Sequence, residues 1–180
     1  MLKYWWVVLI FLVFTTTWLS QSIDNDSIIP PDDKLKIPDY SLKNFKSIRM
    51  DDFGQLKSQL TAVDMIHYPN TNTSITKPNM IFYKDKQPLW TVQAENGELS
   101  LEADQIWLLG NTTLQQHAKN PIEIISRDLS IKIDTEYAQT DAPTTIVSRF
   151  GETKSTGMRV FMSIEQIELF SDVRGRYVLQ

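Results

Sequence analysis

From Tyr4 to Ile23 the chain runs for 20 residues without a formal charge, YWWVVLIFLVFTTTWLSQSI. A helix rises about 1.5 Å per residue, so this run spans roughly 30 Å, the hydrocarbon thickness of a bilayer. Trp5 and Trp6 stand at one end and Trp18 at the other, where amphipathic rings favour the two interfaces. Lys3 precedes the run and Asp24 and Asp26 follow it. The positive-inside bias therefore predicts a cytoplasmic N-terminus, residues 1–3, with everything after Ile23 outside. A cleaved signal peptide is the competing reading. It is disfavoured by bulky Trp18-Leu19 where small residues are wanted, with only Ser20-Gln-Ser22 as a weak site. The sequence thus predicts a single transmembrane anchor helix over 4–23. Thr15 to Thr17 weaken it little, because helical Thr bonds back to the preceding turn.

Residues 24–38, DNDSIIPPDDKLKIP, hold three prolines and no periodic apolar pattern, which reads as an extended tether. Beyond Ile23 lie all 22 acids and 17 of the 18 bases, a net charge of −5. With a pI near 5.2 the chain lacks the basic stripe of a nucleic-acid binder. The absence of cysteine excludes disulfides, thiolate metal sites, cysteine nucleophiles and a lipid-modified Cys.

From Asp39 the pattern changes to period two, predicting a domain over 39–180. Trp90, Val92 and Ala94 fall on one strand face, with Thr91 and Gln93 on the other. Ile81–Tyr83 precedes a charged turn, Lys84–Pro88, and Asn96-Gly97 reads as a hairpin turn. Leu99–Leu101, Ile106–Asn111, Ile122–Ile125, Leu129–Ile133, Thr144–Val147, Met158–Ile164 and Ile167–Leu169 continue as short strands. Only Leu56–Met65 hints at a turn of helix. The pattern predicts an all-β meander, sandwich or open barrel. Leu99-Ser100-Leu101, Leu129-Ser130-Ile131 and Met162-Ser163-Ile164 share an apolar-Ser-apolar pattern at spacings of 30 and 33, a faint repeat. Glycines follow each copy, at Gly110, Gly151 and Gly175.

Little here suggests catalysis. The two histidines, His67 and His117, lack metal-ligand spacing, and the six glycines form no phosphate loop. There is no Gly-x-Ser-x-Gly elbow. Acid pairs such as Asp51-Asp52 read as solvated turn charges. The residues predict a non-enzymatic β domain with no cofactor and no metal, tethered to a membrane and facing an extracytoplasmic space.

The layout also resembles a known family. A short N-terminus, one anchor, a Pro-rich tether and PDYSLKNFKSIRMDDFGQL are similar to LptC, the bitopic component of the lipopolysaccharide export machine. So are KDKQPLWTVQAENGELS followed by DQIWLLGN, a stretch near Gly151, and DVRGRY. Pro88-Leu89-Trp90-Thr91-Val92-Gln93-Ala94 is the sharpest match. The resemblance implies an open, twisted jelly-roll-like β sandwich behind a single N-terminal transmembrane helix, in the cell inner membrane with its main domain in the periplasm. It implies that lipopolysaccharide arrives from an ABC transporter of LptB, LptF and LptG, that it passes to periplasmic LptA, and that related domains bridge to outer-membrane LptD. Partner ATP hydrolysis would supply the energy.

Exposing acyl chains to water costs about 0.8 kcal/mol per CH₂, so a carrier needs an apolar groove. The inward stripe expected to line it is Ile75, Ile81 or Tyr83, Trp90, Val92, Ile106, Leu108, Ile131, Ile133, Ile164 and Ile167. For any single one of them ordinary sandwich core is favoured over lipid contact; Ile75 and Ile167 are the better lipid contacts, Trp90 and Ile106 the better core. Free edge strands would dock partners by strand addition. The strand Phe45–Met50, with Phe45 and Ser47, is expected to face the transporter. The strand Glu165–Tyr177, with Ile167, Arg174 and Tyr177, is expected to meet LptA. Arg174 and Arg176 are either lipid-phosphate ligands or solubilising charges. Gly151 is expected to hold positive φ or to permit a close backbone approach beside that edge. A rival reading is a membrane-anchored periplasmic scaffold or sensor that binds proteins but not lipid; an enzyme with an unrecognised site ranks below both.

Overall fold

The structure is a computed structural model that describes residues 37–177. The expected anchor and the tether as far as Lys36 lie outside the described residues. Among the described residues no helix is long and apolar enough to cross a membrane.

Ten strands follow one another: β1 Tyr40–Met50, β2 Leu56–His67, β3 Thr73–Thr76, β4 Asn79–Lys84, β5 Gln87–Leu99, β6 Gln105–Gln116, β7 Ile122–Lys132, β8 Tyr137–Ser148, β9 Gly151–Phe161 and β10 Gln166–Tyr177. They form one antiparallel sheet in the order β1-β2-β3-β5-β6-β7-β8-β9-β10, with β4 also between β2 and β5. β3 and β4 fill one place in the sheet end to end, broken at Lys77-Pro78, where Pro78 has no N–H for the ladder. Among the described residues each free edge of the sheet is one strand, β1 or β10. The fold is all-β, as the period-two pattern predicts.

The long strands run to 11–13 residues, about twice the usual length. Their ladders shift register near mid-strand, at Ala94/Asn96, Leu108/Asn111, Ile125/Ser130, Thr140/Pro143 and Ser171/Arg174. Bulges of this kind bend a strand and let it pass from one layer to another. Asn44, Gly110, Asp128, Gly157 and Asp172 take left-handed φ inside their strands along the same line. The sheet is therefore creased across its middle.

The residues on the inner side of the crease are small. Ala94 pairs with Thr112, Thr112 with Ser126, and Thr144 with Ser155, while Ser126 Oγ and Thr144 Oγ1 are 2.9 Å apart. The four hydroxyl residues are buried. Three of them serve carbonyls around the bulges: Ser126 donates to Pro143 O (3.3 Å), Thr144 to Ala142 O (3.2 Å) and Ser155 to Gly157 O (3.2 Å). A buried carbonyl without a partner is costly, so these hydroxyls stabilise the bend.

Three local expectations are corrected. Leu56–Met65 is strand β2; its phase changes after Ala62, so Leu56, Leu60 and Val63 mimic a helical spacing. Asn96-Gly97 lies inside β5, where a Cβ on Gly97 would sit 3.1 Å from Trp107 O, a close backbone approach and not a hairpin turn. The three repeat copies are not equivalent: one runs from the end of β5 into a turn, one lies within β7, and Met162–Ile164 is a 3₁₀ turn.

Removing the Thr144 hydroxyl tests the crease. Thr144→Val is expected to lower unfolding stability by about 1–3 kcal/mol, while Thr145→Val next to it stays within about 0.5 kcal/mol. Equal midpoints for the two variants in denaturant melts would refute a stabilising role for the hydroxyl row.

Candidate functional site

The interior is one apolar cluster drawn from both sides of the crease. Ile75, Trp90, Val92, Ile106, Leu108, Ile131 and Ile133 are all buried in it, and Ile167 packs half-buried against it. These eight residues are brought together. The inward placement expected of Tyr83 and Ile164 is corrected. On β4 the buried positions are Met80 and Phe82, leaving Ile81 and Tyr83 half-buried on the alternate positions. Ile164 closes the 3₁₀ turn and is 65% exposed; Met162 is the buried member of that turn. The inward stripe also includes Leu114, Ile124, Leu129, Met158 and Val160, which sequence reasoning passed over. For β9 the alternation of Met158, Val160 and Met162 was the available signal. Leu114 was hidden behind Thr112-Thr113.

This interior is filled. Trp90 and Phe82 are 0% exposed, and burying side chains of this size contributes about 1.5–3 kcal/mol each. Among the described residues three buried side-chain polar atoms nonetheless have no partner, Trp90 Nε1, Thr112 Oγ1 and Arg159 Nε.

Opposite ends of the sheet meet along a polar seam. Arg49 pairs with Asp134 and donates to Ala103 O (3.0 Å), and Lys57 Nζ donates to Asp134 O (2.8 Å). Lys84 Nζ donates to Ser163 O (3.2 Å) and lies 3.9 Å from Glu165 Oε1, while Gln116 Nε2 donates to Glu165 Oε2 (2.9 Å). Among the described residues, every side-chain hydrogen bond between strands or turns that are not sheet neighbours lies here. Sequence reasoning missed this seam entirely, because its partners stand 49 to 85 residues apart.

Glu136 is buried beside the seam, lining a cleft of about 290 Å³ with Lys57, Tyr83, Lys84 and Lys86. Burial raises its carboxyl above the usual glutamate range, against the opposing pull of Lys57 and Lys84. The folded state therefore holds this proton more tightly than the unfolded chain, so its contribution to stability rises as pH falls through the raised value. Glu136→Gln is expected to raise the melting temperature at neutral pH and to lose that advantage near the ordinary glutamate pKa. Melts across pH 4–8 check it, and a constant difference would refute it.

At the edges, Phe45 of β1 is half-buried against the core and Ser47 is exposed. On β10, Arg174 and Arg176 line a cleft of about 300 Å³ with Lys154 and Glu152, which pair at 2.8 Å, and Tyr177 is 65% exposed. Gly151 opens β9 opposite Tyr177 with φ +151°, and a Cβ there would lie 2.0 Å from Arg176 O. Both features expected of it, positive φ and close approach, are present. Gly151→Arg is expected to unzip the 174–177 end of β10, read as faster amide hydrogen exchange there; unchanged protection would refute this.

His67 Nδ1 and His117 Nε2 each hydrogen-bond a threonine, Thr73 (2.9 Å) and Thr91 (2.7 Å). Among the described residues no group of three or more His, Asp or Glu side chains is placed to hold a metal.

The described strands thus form one creased antiparallel sheet around a single apolar cluster, with β1 and β10 at its two edges. The chain belongs to the LptC-related lipopolysaccharide-assembly family, whose model matches residues 6–178. No curated protein matches the sequence. Membership places the chain in lipopolysaccharide transport, in a family of transport components.

Proposed function

We propose that this chain carries the acyl portion of lipopolysaccharide through its apolar interior on the way from the inner to the outer membrane. In this reading Tyr4–Ile23 anchors the chain in the inner membrane, with residues 24–38 as tether and 39–180 as the periplasmic domain. The transporter of LptB, LptF and LptG delivers lipid at the β1 edge, near Phe45 and Ser47. LptA receives it at the β10 edge, near Ile167, Arg174 and Tyr177, with Gly151 keeping that edge in shape. The observation that carries the proposal is a single apolar cluster reaching from Ile75 on β3 to Ile167 on β10, inside a sheet whose terminal strands are both free. Acyl chains follow such a path without meeting water, while a sugar head stays outside. Partner hydrolysis of ATP drives the flow, so the chain itself acts without enzyme chemistry or a cofactor.

The close filling of the interior favours a second reading, a periplasmic scaffold that binds proteins and no lipid. Photo-crosslinking in cells at Ile75 and Ile167, with exposed Lys119 as control, separates the two. Lipopolysaccharide adducts at the first two positions and none at Lys119 are expected. Protein adducts alone would overturn lipid carriage in favour of the scaffold. A pull-down adds the docking arm: Gly151→Arg is expected to lose LptA capture at the β10 edge, and undiminished capture would remove Gly151 from the docking surface.

A further inference from the structure

An acyl chain has no access from solvent to the interior around Trp90 and Phe82 while the sandwich is shut. Trp90 and Phe82 already occupy it with no exposed surface. Loading therefore needs the layers to part, and the crease limits how. Along the crease the backbones of the strands themselves run from one layer to the other, so separation there would break the ladder. Among the described residues, the side-chain polar links between non-neighbouring elements away from the crease reduce to the seam of Arg49, Lys57, Lys84 and Gln116 against Asp134 and Glu165 and the turn carbonyls beside them.

We infer that this seam is the gate of the interior, a polar clasp that opens to admit an acylated amphiphile and closes behind it. The inference rests on the lipid-carrying reading and adds where the lipid passes. Three observations support it. First, the clasp joins strand ends and turns without taking any ladder hydrogen bond, so it parts while the sheet stays intact. Second, Lys84, Asp134 and Glu165 are exposed, with 52% of the Lys84 side chain and 39% of the Glu165 side chain in contact with solvent, while Arg49, Lys57 and Gln116 are half-buried. Exposed pairs of this kind contribute little, so a clasp made of them opens at low cost. Third, Trp90 lies just behind it. Trp90 is the ladder partner of Gln116 on one side and of Phe82 on the other, two residues from Lys84. Its Nε1–H is buried without an acceptor. An ester, amide or phosphate oxygen on an amphiphile passing the clasp would supply that acceptor, and water does not reach it when the clasp is shut.

The native chain has no cysteine, so a pair placed across the clasp is the only one present. Full-length protein carrying Lys84→Cys with Glu165→Cys is bridged by a short bismaleimide and tested in detergent for binding of fluorescent hexa-acylated lipid A. Bridging is expected to weaken binding about ten-fold or more relative to the same variant left unbridged. Gln116→Cys with Glu165→Cys locks the same clasp from another strand and is expected to behave alike. Glu123→Cys with Val147→Cys bridges ladder partners on β7 and β8, and its bridging is expected to change nothing. Lipid A binding that survives both clasp bridges would overturn the gate and leave lipid carriage standing. Wild-type protein that binds no lipid A would overturn lipid carriage, and the gate with it.

Discussion

The architecture depends on how a single sheet is made to face itself. A sheet with one apolar side must cover that side, and most β domains do so by packing a second sheet against it. Here the strands are long enough to serve both layers, and the bulges at mid-strand turn them over. Bulging removes ladder partners from carbonyls along the bend. Ser126, Thr144 and Ser155 return those hydrogen bonds from side chains that are also small enough for a tight bend. A larger apolar residue at any of the three would take a side-chain donor from a carbonyl at the bend and overfill the fold at once. The hydroxyl row and the bulges therefore form one device, and the apolar cluster on either side depends on it.

Much of the fold was legible because alternation survives within each half-strand. Trp90 and Val92 against Thr91 and Gln93 was read correctly, and so was the gathering of Ile106, Leu108, Ile131 and Ile133. The reading failed where the crease changes the phase. Ile122–Ile125 and Leu129–Ile133 look like two strands, yet both belong to β7 and its Ile133 end, with the register shift between them. Tyr137–Thr140 went unseen because Ala138 and Thr140, its inward residues, carry little hydrophobic signal. Parity on β4 was lost for a similar reason: Met80, Ile81, Phe82 and Tyr83 are all apolar or aromatic, so alternation selects neither face. The clasp was illegible in principle. Lys84 and Glu165 are ordinary surface charges until the crease brings their turns together.

If the interior carries acyl chains as proposed, packing and cargo make opposing demands on it. Side chains close-packed on themselves stabilise the domain when no lipid is present, and the same packing excludes lipid. A domain that carries acyl chains resolves this by letting cargo replace core contacts with contacts of the same kind. Apolar surface freed from Phe82 or Trp90 is then covered by methylenes, and the net change in exposed apolar area stays small. Met65, Met80, Met158 and Met162 suit that exchange, since an unbranched thioether repacks with little strain. Branched or aromatic residues in their place would hold one arrangement more rigidly.

The crease also bears on what the two free edges accept. Asn44 in β1 and Asp172 in β10 both take left-handed φ, and each edge strand has its own register shift, at Arg49/Met50 and Ser171/Arg174. An edge bent in this way is a poor template for a straight strand, which pairs with one half and diverges from the other. A partner pairs along the full edge only if its own strand bends at the same height. Lys43 and Lys46 on β1 and Arg174 and Arg176 on β10 further discourage indiscriminate pairing. Two exposed edges with Leu42, Ile48 and Met50 on one and Phe170 and Val173 on the other would otherwise invite aggregation. The bend that shapes the interior is thus also the feature that restricts each edge to partners of matching curvature, and a creased sheet added at either end would extend the apolar path across the junction.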